Sequence, residues 1–283
     1  MKTVLLLSVS GLLSVSTFVH AVTVYGINPG AGPAADSLVR FDSATPGSVT
    51  NIGPLSATLV DIDFYPVNGL LYGITSSGET YTIDINTAAL TLRFSPLTAL
   101  TGLTDLDFNP VADRMRLFGD VDQNYRMVPD VTSAPSAPGT PGTVIADGTF
   151  SDTIRQLVGS AYTNNFDGAT TTTLYSIDTT NDALMIHSGT PEFNTIAQVG
   201  AGLGAPIGTD VGFDIGQDGI AYGTDRGLGV FATIDLTTGV ATVVGPLGVS
   251  VRTIAVAAIP EPGATILSFA GLSLLALRRR RKV

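Results

Sequence analysis

The segment Leu59-Val-Asp-Ile-Asp-Phe64 returns as Leu103-Thr-Asp-Leu-Asp-Phe108 and, in looser form, as Thr209-Asp-Val-Gly-Phe213. A unit of this size cannot bury its own apolar face, so repetition forces the copies to stack on one another, and this constrains the fold more than any other feature. Each copy is followed by a turn and a second strand: Leu70-Leu-Tyr-Gly-Ile74, Arg114-Met-Arg-Leu-Phe118 and Ile220-Ala-Tyr-Gly-Thr224. A third strand ends on an acidic turn, as in Tyr81-Thr-Ile-Asp84 and Ala232-Thr-Ile-Asp235, and a fourth closes the unit, as in Val240 to Gly245. Val158 to Tyr162, Thr173 to Ile177, Ala183 to Ser188 and Thr195 to Gly200 obey the same grammar.

Units beginning at 59, 103, 157 and 209 lie 44, 54 and 52 residues apart. A fifth is split between the two ends. Val24 to Ile27, Leu38 to Asp42 and Val49 to Gly53 read as second, third and fourth strands, and Val251 to Val256 supplies the missing first one. Such a crossover closes a ring and leaves no unpaired sheet edge between first and last blades. Short β-branched and aromatic runs alternate with Gly, Pro and Asn turns, and nothing between 22 and 259 sustains a helical period. The expected fold is therefore all-β, a five-bladed propeller-like ring of four-stranded antiparallel blades. A β-sandwich is the competing all-β arrangement.

The ends of the chain read as export signals. Lys2 precedes the apolar run Val4 to Val19, and Val19-His20-Ala21 places small residues where a signal peptidase reads, giving cleavage after Ala21. A retained N-terminal anchor is the alternative. At the other end, Pro260-Glu261-Pro262 precedes the fifteen apolar residues Gly263 to Leu277 and then Arg278, Arg279, Arg280, Arg281 and Lys282. Fifteen residues fall short of the ~20 that span a bilayer comfortably, and the terminal cations belong on the cytoplasmic side. This tail resembles the PEP-CTERM sorting signal of Gram-negative bacteria. The resemblance implies an exosortase-type processing enzyme as partner, transient anchoring in the inner membrane through the C-terminal helix, and final residence in the cell envelope or outside the cell. A plain C-terminal anchor is the simpler alternative. The chain thus divides into a signal peptide (1–21), a body (22–259) and a sorting segment (260–283).

The body holds eight arginines, no lysine and twenty-three acidic residues, a balance of −15. Such a surface repels phosphates, so nucleic acid is excluded as a partner and membrane contact is left to the tail. There is no cysteine, so an exported chain of this kind must be held by packing alone.

Asp107-Phe108-Asn109-Pro110, Asp113 to Leu117, Gln123-Asn124-Tyr125-Arg126, Pro129-Asp130 and Ser160 to Asn164 resemble an uncharacterised family of bacterial secreted domains of unknown function, commonly paired with PEP-CTERM tails. The resemblance covers most of residues 23–257 and implies a propeller-like fold without a known activity. The Pro- and Gly-rich insert Thr132 to Gly142 departs from the family pattern.

Asp105 and Asp107 share one face of their strand, and Arg114 and Arg116 share a face of the next, with Asn124 and Arg126 following. These residues form either an anion-binding cluster, suited to a sugar acid through bidentate guanidinium contacts, or a set of charge pairs tying blades together. Asp61 and Asp63 repeat the acidic pattern without arginines, which marks the carboxylates as part of the scaffold. Asp120, Asp122 and Asn124 have the spacing that opens a calcium loop, but Tyr125 and Val131 stand where an EF-hand needs Gly and Glu. Asp214, Asp218 and Asp225 read as Asx-turn residues. His187 is the body's one histidine, and a triad would need it beside Ser176 or Ser188, neither in a nucleophile elbow. Gly200, Gly202 and Gly204 are followed by Pro206 and no helix, so they read as a turn rather than a phosphate loop. No catalytic, cofactor or metal residue is assigned. The expected function is a non-enzymatic binding or scaffold module, embedded in extracellular polysaccharide. The alternative is a propeller enzyme acting on a glycan or lactone through carboxylates at the channel mouth.

Overall fold

A computed structural model describes residues 21–30, 36–120, 122–130, 139–152 and 156–259. The segment before Ala21, the tail from Pro260 and most of the 132–142 insert lie outside them. The strands, numbered in chain order, form five four-stranded antiparallel sheets. The first blade holds β1 (Thr23–Asn28), β2 (Ser37–Asp42) and β3 (Thr45–Pro54). The second holds β4 (Asp61–Phe64), β5 (Leu71–Ile74), β6 (Thr80–Ile83) and β7 (Leu90–Phe94). β8 (Leu103–Asn109), β9 (Arg114–Gly119), β10 (Asn124–Met127) and β11 (Val144–Ala146) make the third. β12 (Leu157–Tyr162), β13 (Leu174–Asp178), β14 (Ala183–Ser188) and β15 (Thr195–Gln198) make the fourth. The fifth is β16 (Val211–Ile215), β17 (Ala221–Asp225), β18 (Val230–Ile234) and β19 (Ala241–Pro246). β20 (Thr253–Val256) returns to the first blade and pairs with β1, Val24 opposite Val256 and Ile27 opposite Thr253.

The inner strands β4, β8, β12, β16 and β20 contact one another in sequence, and β20 meets β4 to complete the ring. The molecule is a five-bladed propeller, closed as the split fifth repeat requires. The fourth strand of the third blade, β11, is only three residues long and follows the insert, so the repeat pattern alone did not reveal it.

Alternation explains the packing. In β4 and β8 the even positions Ile62, Phe64, Leu106 and Phe108 are buried between blades. Tyr65 stacks on Phe108 with centroids 4.3 Å apart, and Tyr72 meets Phe108 edge-on at 5.4 Å. Such contacts supply the energy of the fold, roughly 1.5–3 kcal/mol for each large apolar side chain buried. The inner strands approach so closely that two positions accept nothing larger than glycine. A Cβ on Gly212 would lie 2.8 Å from Thr253 Cα, and one on Gly159, which has φ of 57°, would lie 2.7 Å from Phe213 Cβ.

Candidate functional site: the acidic channel

Strand register places Asp63 opposite Tyr72 and Asp214 opposite Tyr222, the tyrosines of Leu-Tyr-Gly-Ile and Ala-Tyr-Gly-Thr. Asp214 is thus the fifth-blade counterpart of Asp63. The repeat in this blade is therefore shifted from the sequence alignment, and Asp214 sits in an inner strand instead of forming an Asx turn. Asp218 does form such a turn, accepting from the Ile220 amide at 3.0 Å. By the same register Tyr25 faces Ala255 and Tyr175 faces Ala161. With Asp107, one level of the channel is built from three aspartates and two alanines. One oxygen from each of Asp63, Asp107 and Asp214 lies within 4.8 Å of the others, and all three residues are buried. Two residues earlier, about 6.6 Å along a strand, Asp61 and Asp105 form a second acidic level, in contact with each other.

These carboxylates clamp the ring. Asp61 accepts from its own neighbour Ile62 at 2.9 Å and from Leu106 of the next blade at 2.8 Å, and Thr253 donates its hydroxyl to it. Asp63 does the same with Phe64 at 2.6 Å and Phe108 at 3.0 Å. Asp105 accepts from Ser160 at 2.8 Å. Asp214 takes Ile215 at 2.6 Å and Val256 at 2.5 Å. Each pins the channel-facing amides of two adjacent inner strands, groups that would otherwise be buried without partners. Asp107 is the exception, because its Oδ1 has no hydrogen-bond partner although the residue is 2% exposed.

Burial raises all five carboxyls above the usual range. The neighbouring charge of Asp214 adds to this at Asp63, that of Asp63 at Asp107, and that of Asp105 at Asp61. Asp214 is pushed up to about 7, the amides of Val256 and Ile215 partly offsetting its burial. Among the described residues the arginine ion pairs all go elsewhere: Arg93 to Asp130, Arg116 and Arg126 to Asp147, Arg226 to Asp210, Arg252 to Asp36.

Above Asp61 and Asp105 the channel opens into a cavity of about 320 Å³, lined among others by Thr58, Thr104, Gln156, Thr209, Asp210 and Arg252. All five inner strands or the turns entering them contribute. Arg252 Nη2 is held by Asp36 Oδ2 at 2.7 Å and by the Leu59 carbonyl, and its Nε is buried without a partner.

The residues grouped in the sequence separate in space. Asp107 and Arg116 occupy facing positions on β8 and β9, yet Arg116 turns outward to Asp147, away from the channel. There it donates to Asn124 Oδ1 at 2.6 Å, to the Tyr162 hydroxyl at 3.1 Å and to the carbonyls of Pro191 at 2.9 Å and Glu192 at 3.2 Å. This ties the third blade to the fourth. Arg126 grips both oxygens of Asp147, while Arg114 donates to the carbonyls of Ala112 and Asp113. Asn124 also donates to the Glu192 carbonyl at 2.9 Å, which commits it to this knot rather than to a calcium loop. Nothing in the sequence near Asp147 signals its role.

His187 does meet Ser176, Nε2 to Oγ at 2.8 Å, but Nδ1 faces the Phe193 carbonyl at 2.9 Å. A carbonyl only accepts, so Nδ1 carries the proton and Nε2 accepts from the hydroxyl. No carboxylate completes a triad, and both residues are buried, His187 against Phe118 and Phe150.

Fold and channel together define a five-bladed β-propeller with an acidic, backbone-clamping core. The chain belongs to the domain of unknown function family DUF4394, whose model matches residues 37–257. No curated protein gives a significant match. Among solved structures, the chain is similar to a protein of unknown function from Bacteroides thetaiotaomicron (TM-score 0.48, 14% identity, covering 72% of this chain and 54% of that one). It is also similar to an auxiliary nutrient binding protein from the same organism (0.42, 16%, 81% and 51%). A putative 6-phosphogluconolactonase from Bacteroides uniformis is a further similar structure (0.44, 12%, 81% and 82%). The chain spans about half the length of the first two.

Proposed function

We propose that the protein is an exported, non-enzymatic binding and scaffold module of the cell envelope, whose channel mouth takes a hydroxyl-rich ligand of the glycan type. One observation carries the non-enzymatic part: four of the five channel carboxylates, all but Asp107, already accept backbone amides of neighbouring blades. A general base or nucleophile needs a lone pair aimed at substrate and a partner that keeps it charged, and burial here opposes charge. The mouth, by contrast, is lined by the side chains of Thr104, Gln156 and Thr209, which can both donate and accept hydrogen bonds. Delivery rests on the two ends. The Ala21 signal site sends the chain out, and the PEP-CTERM-like tail hands it to an exosortase-type enzyme at the inner membrane, for release into the envelope or an extracellular polysaccharide.

A glycan-array screen of the full chain, repeated with Gln156→Ala and Thr209→Val, tests this reading. Binding that both variants weaken while thermal unfolding is unchanged supports it, and absence of any glycan binding contradicts it. A second reading, an enzyme acting on a glycan or lactone, draws on one feature: Asp61 and Asp105 touch each other at the mouth with raised carboxyls. Turnover of a glycoside or lactone panel that Asp105→Asn abolishes would favour it.

A further inference from the structure

The three-aspartate level has a feature that clamping does not explain. Asp63, Asp107 and Asp214 bring three carboxylate oxygens within 4.8 Å of one another, and among the described residues no arginine forms an ion pair with any of them. Three carboxyls this close and this buried cannot all carry charge unless a cation joins them. Asp63 and Asp214 are each held in place by two amides, one on each oxygen, and every carboxylate oxygen keeps a second lone pair. Asp107 has an oxygen without any partner, at 2% exposure. The remaining two positions of the level, Ala161 and Ala255, keep it open.

We infer that this level is a cation site, formed by Asp63, Asp107 and Asp214, for a hard divalent ion of the size of calcium. The donors are all oxygen, with no histidine or cysteine, which selects calcium or magnesium over zinc and copper. Calcium takes oxygens at about 2.3–2.6 Å, so two ligands on opposite sides of it stand up to ~5 Å apart. Magnesium, at about 2.0–2.1 Å, needs a tighter ring. Oxygens within 4.8 Å of one another can share one such ion, and three carboxylates in one buried ring suit calcium better than magnesium, which keeps several waters and takes one or two carboxylates. The mouth cavity, lined by Asp61 and Asp105, lies one pleat repeat from the site. The site is independent of any ligand at the mouth.

The test uses the full chain, stripped with chelator and returned to calcium or magnesium. Native mass spectrometry is expected to show one calcium per chain. Thermal unfolding should rise by about 5–10 °C at a calcium concentration a hundredfold above Kd, with a smaller rise in magnesium. Asp107→Asn removes one charge at constant shape. It should weaken calcium affinity at least tenfold while its metal-free form unfolds no earlier than the metal-free wild type, since repulsion is relieved. A residue that merely held the fold would do the reverse, lowering the metal-free transition and leaving the calcium response intact. Asp214→Asn gives the same comparison should Asp107→Asn not fold. The proposal is overturned if wild-type protein retains no ion and unfolds at the same temperature in chelator and in calcium. An equal or larger response to magnesium overturns the assignment to calcium.

Discussion

Arg116 Nη1 lies 2.6 Å from Asp147 Oδ2, and both side chains are 1% exposed. The pair crosses from the inner half of the third blade to the end of its outermost strand, and the rest of the guanidinium reaches the fourth blade. A buried pair of this kind is a poor source of net stability, but breaking it strands the remaining charge. Arg116→Ala should therefore cost on the order of 3 kcal/mol in denaturant unfolding. Arg126→Ala should cost clearly less, since that side chain is 19% exposed. A loss below about 1 kcal/mol for Arg116→Ala would contradict the knot.

His187 provides a pH signature. Burial, reinforced by the Arg116 charge and resisted by the Phe193 carbonyl, lowers its pKa from 6.5 to about 4. The unfolded chain therefore takes up a proton that the folded chain refuses between those values. The stability contribution is complete above pH 6.5 and declines by up to about 3 kcal/mol as pH falls towards 4. The raised channel carboxyls act in the opposite direction. The clean readout is thus the stability difference between wild type and His187→Asn, which should shrink steadily across that window. A constant difference would mean that His187 titrates normally in the fold.

Gly212 tests the closeness of the inner strands. A methyl group there meets Thr253 Cα and the Ile254 amide, which are backbone and cannot rotate aside. Gly212→Ala should destabilise by about 1–3 kcal/mol. Gly219, with nothing within 4 Å, tests a different term because its φ is 76°, so Gly219→Asn should be nearly neutral. Equal costs at both positions would argue against a tightly closed ring.

Much of this architecture was readable from the chain. The Leu-x-Asp-x-Asp-Phe copies and the Val24 and Val251 segments gave blade count and closure, because period-two burial and ring symmetry leave few alternatives. Asp214 is hidden because the fifth blade keeps only one aspartate of the Asp-x-Asp pair, with Gly212 at the other position. The Tyr-Gly pairs Tyr72-Gly73 and Tyr222-Gly223 mark the register and expose it. Asp147 was illegible for a different reason. It follows a three-residue strand beyond an irregular insert, and its partners are 21 and 31 residues away in the chain. The convergence of three carboxylates from three blades likewise belongs to the ring and not to any local motif.

The tail prediction stands on its own physics. Fifteen apolar residues would extend ~22 Å if helical, against a ~30 Å hydrocarbon core, a length suited to temporary retention. Prolines at 260 and 262 disfavour a helical approach, which would leave the chain in the extended form a protease cleft accepts. Intact mass of the envelope-fraction protein should show a chain ending near Pro262, and Glu261→Ala should leave a longer, membrane-bound form. A chain running to Val283 would reduce the tail to a plain anchor.

Every channel carboxylate but Asp107 is occupied by the backbone of the next blade. This occupancy predicts an unusual protection pattern, because Leu106, Phe108, Ser160 and Val256 point their amides at carboxylates instead of at a strand partner. Residue-resolved hydrogen exchange reads this directly. These four amides should exchange only with global unfolding, as slowly as the central strands β5 and β9, and Asp63→Ala should release Phe108 selectively. Exchange at the rate of an open sheet edge at all four positions would show the carboxylates free, and the clamp, with the non-enzymatic reading built on it, would be wrong.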